Sequence, residues 1–203
     1  DSRGRGFESP AGVGIFMTLV LKPDFAPDRA SMLTLIAALA VSKAISEKTG
    51  QEAEIKWPND IYWKEKKICG ILIENDLMGR NICQSIAGIG ININQEEFYS
   101  PAPNPVSLYQ ITGKRHDVFE ILKNIMIRVQ SYYAKLQKGD ITQITNQYEK
   151  SLFRKEGMHR YKDVDGEFLA RIICVEPEGR LILEDEKQVR RAYMFKEVEY
   201  LLR

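Results

Sequence analysis

The chain has 203 residues, 44% of them hydrophobic, enough to bury one main domain and a small second one. Its 29 basic and 28 acidic residues leave a formal charge of +1, so no global field steers it toward nucleic acid or a membrane surface, and only local patches remain for such contacts. No apolar run is read as approaching the roughly 20 residues of a bilayer span, no secretory signal opens the chain, and Cys69, Cys83 and Cys174 sit in apolar runs without metal-ligand spacing, as reduced core residues of a cytoplasmic protein would.

The chain opens on DSRGRGFESP, which has no methionine and reads as the interior of a longer polypeptide. Within SRGRGFESPAGVG (2–14), Arg3, Gly4 and Arg5 combine guanidinium forks with accessible backbone amides, a combination that traps anions. An RGRG stretch also occurs in nucleic-acid tails, but a single repeat is too short for that argument. VGIFMTLVLK (13–22) is β-branched and aromatic enough for a strand, closed by the prolines of PDFAPD. A helix follows, with Asp28 as its cap, Met32, Leu35, Ile36, Leu39 and Ile45 as its buried stripe and Gly50 as its left-handed stop. EIKW (54–57), KICGILIE (67–74) and NICQSIAGIGINI (81–93) read as strands, the last two joined by a turn at 79–80. Residues 94–114 carry three prolines and no clean period, which predicts a long loop. Val118, Ile121, Leu122, Ile125, Val129, Tyr132 and Leu136 recur at helical spacing behind an Asp117/Glu120 capping box, and a further helix is expected around 140–150. From Met158 onward short strands alternate with the turns VDGE, EPEG and EDEK, the pattern of a small all-β module.

Two stretches carry candidate chemistry. In KWPNDIYWKEKKICGILIE (56–74), Trp57 precedes a proline and is expected to be extended, while Pro58 ends the strand. Asn59 and Asp60 then form a turn whose amide and carboxylate project from the strand end, Lys67 opens the next strand, and Gly70 permits close approach of a ligand or another backbone. A plain hairpin with a solvated lysine cluster at 64, 66 and 67 is the competing reading. In GIGININ (88–94), Gly88 and Gly90 mark a bulge or a close approach and Asn92 offers an amide. A phosphate-binding GxxxxGK(S/T) loop is absent from the sequence.

KWPND (56–60), KxxGILxE (67–74), GIGIN (88–92) and RxFxSP (5–10) resemble, in order and spacing, the biotin protein ligases, and VSLYQITGK (106–114) is similar to that family's adenylate-binding loop. The resemblance implies an α+β fold in which a mixed sheet with packed helices, related to class II aminoacyl-tRNA synthetases, spans residues 1–155 and a small β-barrel spans 156–203. It implies a ligase that makes biotinyl-5′-AMP from biotin and ATP with Mg²⁺, then transfers biotin to a lysine of a biotin carboxyl carrier domain. Lys67 and Arg5 would be catalytic. Arg3, Gly4, Lys56, Trp57, Asn59, Asp60, Gly70, Gly88, Gly90 and Asn92 would bind substrate, with Asp60 also a metal ligand. The family's (S/T)TN strand and the front of its biotin loop are expected upstream, as is any helix-turn-helix that would bring DNA in as a partner. A homodimer remains open. A lipoate ligase and a non-enzymatic regulator that senses biotinyl-adenylate are the alternatives.

Overall fold

The structure, a computed structural model, describes residues 12–22, 30–78, 81–99 and 104–202. Arg3, Gly4, Arg5, the Asp28 cap and the 79–80 turn lie outside these residues. The elements in chain order are β1 (Gly14–Leu21), α1 (Ala30–Thr49), β2 (Glu54–Lys56), β3 (Asp60–Trp63), β4 (Lys66–Met78), β5 (Asn81–Asn92), α2 (Leu108–Thr112), α3 (Val118–Gln137), α4 (Ile141–Lys150), β6 (His159–Asp163), β7 (Gly166–Val175), β8 (Leu181–Asp185), β9 (Arg190–Tyr193) and β10 (Glu199–Tyr200).

The first sheet has the order β1-β5-β4-β3-β2, and every ladder described in it is antiparallel, so the expectation of a mixed sheet is corrected. β2 to β5 follow one another through short connections, which allow antiparallel pairing, whereas a parallel neighbour needs a crossover of a dozen residues or more. Among the described residues, parallel contacts are confined to the isolated bridges Ile55 to Leu152 and Lys67 to Pro105. The EIKW strand stops at Lys56. Residues 57–59 are a turn with a cis Trp57–Pro58 peptide, and Asp60, expected in that turn, instead begins β3.

One face of this sheet is sealed by α1, which contacts β2 to β5 on one side and α3 and α4 on the other. The helix is buried on almost all sides between Met32 and Ile45, so the expected stripe is only part of its buried surface. Its 20 residues are long and apolar enough to cross a membrane by length and composition, which corrects the expectation that no run reaches that size; here they form the core. Gly50 ends α1 with φ +66°. α3 turns Ile121, Ile125, Val129 and Leu136 inward, and Asp117 caps it by accepting from the Phe119 and Glu120 amides. Glu120 itself pairs with Lys48 of α1.

The 94–114 segment is not one long loop. Ser107 and Gln110 form a reciprocal capping box at the start of α2, and Gly113, at φ 69°, ends it. Five helical residues are too few to show a period. Cys69 is buried, Cys174 half-buried and Cys83 exposed, so Cys83 is not the core residue expected.

The second sheet, order β10-β6-β7-β8-β9, begins at His159, one residue beyond the expected start of the β-rich module. It curls enough for its first and last long strands to meet: Tyr193 Oη of β9 donates to Asp163 of β6 at 2.6 Å, and Arg191 reaches the same carboxylate at 3.3 Å. The two sheets share one core. Residues 151–153 run beside β2, with Ile55 N donating to Ser151 O at 2.7 Å and Phe153 N to Ile55 O at 2.9 Å. Rings of Tyr62, Phe153, Tyr200 and Tyr161 then continue from the first sheet into the second at centroid spacings of 5.3, 6.3 and 4.9 Å.

Candidate functional site

Strand register turns motifs 30 residues apart into one line. Phe16 of β1 lies opposite Gly90 of β5, Gly90 opposite Gly70 of β4, Gly70 opposite Asp60 of β3, and Asp60 opposite Lys56 of β2. Directly opposed residues share a face, and this is the face away from α1, because the alternate residues Ile15, Ile91, Cys69, Ile61 and Ile55 are buried in the core. The next row runs Thr18, Gly88, Leu72. Glycines at the middle of both rows leave a shallow trough flanked by Phe16 and Leu72, which are 50% and 53% exposed; Gly70 and Gly90 in it are buried and Gly88 is half-buried. A methyl added to Gly88 would meet nothing nearer than the Leu72 carbonyl oxygen at 3.9 Å. The trough floor is therefore open at Gly88.

Lys67 reaches this face through a bulge. Simple alternation from Cys69 and Ile71 would aim it at the helices. The register shift between Ile61 and Tyr62 sets Ile61 opposite Cys69 but Tyr62 opposite Lys67, leaving Ile68 extra and buried. Lys67 is thereby turned to the side of Asp60, and its Nζ lies 2.7 Å from Asp60 Oδ1, with both side chains about one-third exposed. Its backbone is fixed from the other edge: Lys67 N donates to Asn104 O at 2.8 Å and Val106 N to Lys67 O at 2.9 Å.

The amides serve as struts. Asn59 Nδ2 donates to Ile71 O while Ile71 N donates to Asn59 O, clamping the turn to β4. Asn92 Nδ2 donates to Val106 O at 3.2 Å, and its Oδ1 accepts from Gln95 Nε2 at 3.3 Å. Trp57 is buried, its indole N–H donating to Gly179 O in the β7–β8 turn at 3.0 Å. Lys56 Nζ sits 3.4 Å from Tyr62 Oη and 5.4 Å from the Tyr200 ring centroid. Burial is the main cause lowering its pKa, with Lys67 and Arg154 adding to the shift and Asp60 and Glu199 opposing it. Tyr62 is pushed up to about 12 by burial and by the Asp60 charge.

Structure thus brings Lys56, Asn59, Asp60, Lys67, Gly70, Gly88, Gly90 and Asn92 to one surface, and points Trp57 at the second sheet. Sequence reading missed Tyr62, Gln95 and the 104–106 segment. Tyr62 was accessible in principle, since it lies two residues from Asp60 and therefore on the same strand face. The described residues hold no group of three or more His, Cys, Asp or Glu side chains placed for a metal ion. A glycine trough with apolar flanks and a lysine-carboxylate pair at one end suits an elongated ligand with an apolar body and an anionic head, which would draw Lys67 away from Asp60.

Residues 2–92 match the model of the "Biotin/lipoate A/B protein ligase family". The chain is 31% identical over 201 residues to the bifunctional ligase/repressor BirA of Bacillus subtilis, covering 95% of this chain and 62% of that protein. It is 33% identical over 150 residues to the biotin–[acetyl-CoA-carboxylase] ligase of Paracoccus denitrificans, covering 71% of this chain and 62% of that one. The chain therefore spans 62% of the length of these curated relatives. Among solved structures, biotin protein ligase from Aquifex aeolicus superposes with a TM-score of 0.75 at 26% identity, over 92% of this chain and 81% of that one. The same enzyme in complex with biotin and ATP gives 0.76 at 25% identity, over 93% and 79%. The bulged, glycine-floored sheet thus sits in a biotin protein ligase fold, and residues 2–92 carry the match to the biotin/lipoate A/B protein ligase family.

Proposed function

We propose that the chain belongs to an ATP-dependent biotin protein ligase, which forms biotinyl-5′-AMP and passes biotin to a lysine of a biotin carboxyl carrier domain in the cytoplasm. The observation that carries this reading is the Lys67–Asp60 pair, held by a β-bulge at the end of a glycine trough, in a chain that superposes on a ligase complexed with biotin and ATP. In the first step the biotin carboxylate attacks the α-phosphorus of ATP and pyrophosphate leaves. Both reactants are anionic, so a cation at the meeting point is required, and Lys67 would leave Asp60 to stabilise the charge developing on the phosphoryl oxygens. In the second step the neutral acceptor amine attacks the acyl carbon and AMP leaves. The trough at Gly70, Gly88 and Gly90 would take the apolar part of biotin, and Arg5, with Arg3 and Gly4 beside it in sequence, would help bind the adenylate phosphate. Magnesium would accompany the nucleotide and neutralise its phosphates, since this ion is commonly held by substrate phosphates with only one or two protein carboxylates. Residues 1–155 would form the synthetase-related catalytic domain and 156–203 a small barrel, a reading supported by the curl that brings β9 back to β6.

Biotin-dependent ATP–pyrophosphate exchange tests the reading directly. Exchange with biotin and none with lipoate is the expected result. Exchange with lipoate alone would make the chain a lipoate ligase, and tight biotinyl-adenylate binding without exchange would make it a sensor of the kind the repressor half of the BirA name suggests. Within the same assay Lys67→Ala should lower the rate about 10²–10³-fold while shifting stability by less than about 1 kcal/mol, since its ion pair is partly exposed.

A further inference from the structure

Asp60 faces two cations. Lys67 is bonded to it at 2.7 Å, and Lys56 is its register partner on the neighbouring strand. Lys56 is not a solvated surface lysine. Its Nζ is held between two tyrosines, 5.1 Å from the Tyr62 centroid and 5.4 Å from that of Tyr200, and Tyr200 is itself buried as the end of the second sheet. Retaining a partly desolvated ammonium there is costly unless a nearby anion needs it. The charges that act on it are Asp60, Lys67, Glu199 and Arg154.

A single carboxylate flanked by two lysines has a consequence for any anion that binds Lys67. Drawing Lys67 away would strand Asp60, a half-buried charge, without a partner, and that cost would be subtracted from the affinity for the reactants. We propose that Lys56 is a positioning residue which keeps Asp60 compensated when Lys67 leaves it for the anionic reactants. This rests on the ligase reading above for what the anions are, but the coupling of Lys56 through Asp60 to Lys67 does not. The second sheet takes part, because the ring of Tyr200 supports Lys56 by a cation–π contact. Strand β10 thus reaches the site through Lys56.

The test separates the coupling from the reaction. In the ligand-free full chain, competitive labelling with acetic anhydride reads the reactivity of the Lys67 amine by mass spectrometry. Lys56→Met should slow Lys67 labelling severalfold, because Asp60 then serves Lys67 alone, and Lys56→Arg should restore it; unchanged labelling in Lys56→Met overturns the proposal whatever the exchange assay shows. In biotin-dependent exchange, Lys56→Met should raise KM for ATP about tenfold, the equivalent of 1.4 kcal/mol, with a smaller effect on kcat. In an Asp60→Asn background the same substitution should change KM by less than about twofold. A full tenfold effect in that background means Lys56 acts independently of Asp60 and also overturns the proposal. A parent that labels as expected but shows no exchange refutes the ligase reading and leaves the coupling standing. Circular dichroism checks folding, and Lys56→Gln carries the comparison if Lys56→Met does not fold.

Discussion

At the scale of single residues, two glycines a few residues apart in the sheet do opposite things. At Gly14 a methyl would sit 3.0 Å from the Ile91 carbonyl oxygen and 3.0 Å from Gln95 Nε2, so the strand cannot accept it without shifting backbone. At Gly88 the space is free on the trough side. Gly14→Ala should therefore cost about 1–3 kcal/mol as an overpacked site, whereas Gly88→Ala should leave stability unchanged or raise it by up to about 1 kcal/mol by restricting the unfolded chain. The functional order is reversed. Gly88→Ala raises the floor of the trough and should weaken biotin binding, read by calorimetry beside urea melts of both variants. Equal affinity in parent and Gly88→Ala would remove that part of β5 from the ligand site.

At the scale of elements, the second sheet depends on a contact its strand order does not give. β6 and β9 are separated by two strands, yet Asp163 accepts from Tyr193 at 2.6 Å and from Arg191 at 3.3 Å, and also from the Asp165 amide at 2.9 Å. The Tyr193 hydroxyl is the main cause that lowers the Asp163 pKa below its ordinary 3.8, and the Arg191 charge adds to it. A carboxyl whose folded pKa is depressed contributes stability that is present above its unfolded pKa and lost as pH falls through the folded value. Asp163→Asn should therefore lower the unfolding temperature at pH 7, and the gap between variant and parent should narrow as pH falls from 3.8, where the carboxyl of the unfolded chain protonates, toward the lower value at which the folded one does. Thermal melts at pH 7 and pH 3 check this; a gap that is the same at both would mean the carboxylate charge is not what ties β6 to β9.

For the whole molecule, the join between the sheets is part of the fold. The Trp57 indole, buried at 5% exposure, bonds the Gly179 carbonyl in the β7–β8 turn, and Phe153 carries the aromatic series from Tyr62 to Tyr200. Trp57→Phe keeps most of the apolar area and loses the bond, which is worth about 1 kcal/mol. Hydrogen exchange should then quicken first at 176–180 and at β2, while α1 and α3 hold their protection. Uniform loosening of the chain would show instead that the indole supports the common core. Because the Trp57 bond to Gly179 and the Tyr62–Phe153–Tyr200 ring series both cross this join, a cut near residue 155 is expected to destabilise the first sheet as well.

Much of this protein was legible from its residues alone. Periodicity marked α3, alternation with turns marked the β-rich end, and KWPND, KxxGILxE and GIGIN singled out residues that the sheet gathers on one face, because local pattern follows local backbone. What failed was whatever a neighbour decides. β3 is four residues and exists by pairing with β4, α2 is one capped turn with no visible period, and α1 is buried on sides its stripe does not show because α3 and α4 cover them. Single-strand alternation even gives Lys67 the wrong face. The sequence by itself named Lys56, Asn59, Asp60, Lys67, Gly70, Gly88, Gly90 and Asn92 of the candidate site, since those identities belong to the motifs, and it left out Tyr62 and Gln95, whose place there depends on what they pack against. Only the tertiary structure decided that Phe16, Gly90, Gly70, Asp60 and Lys56 form one row and that a bulge at Ile68 turns Lys67 into it, because register between strands is set by long-range pairing and core packing.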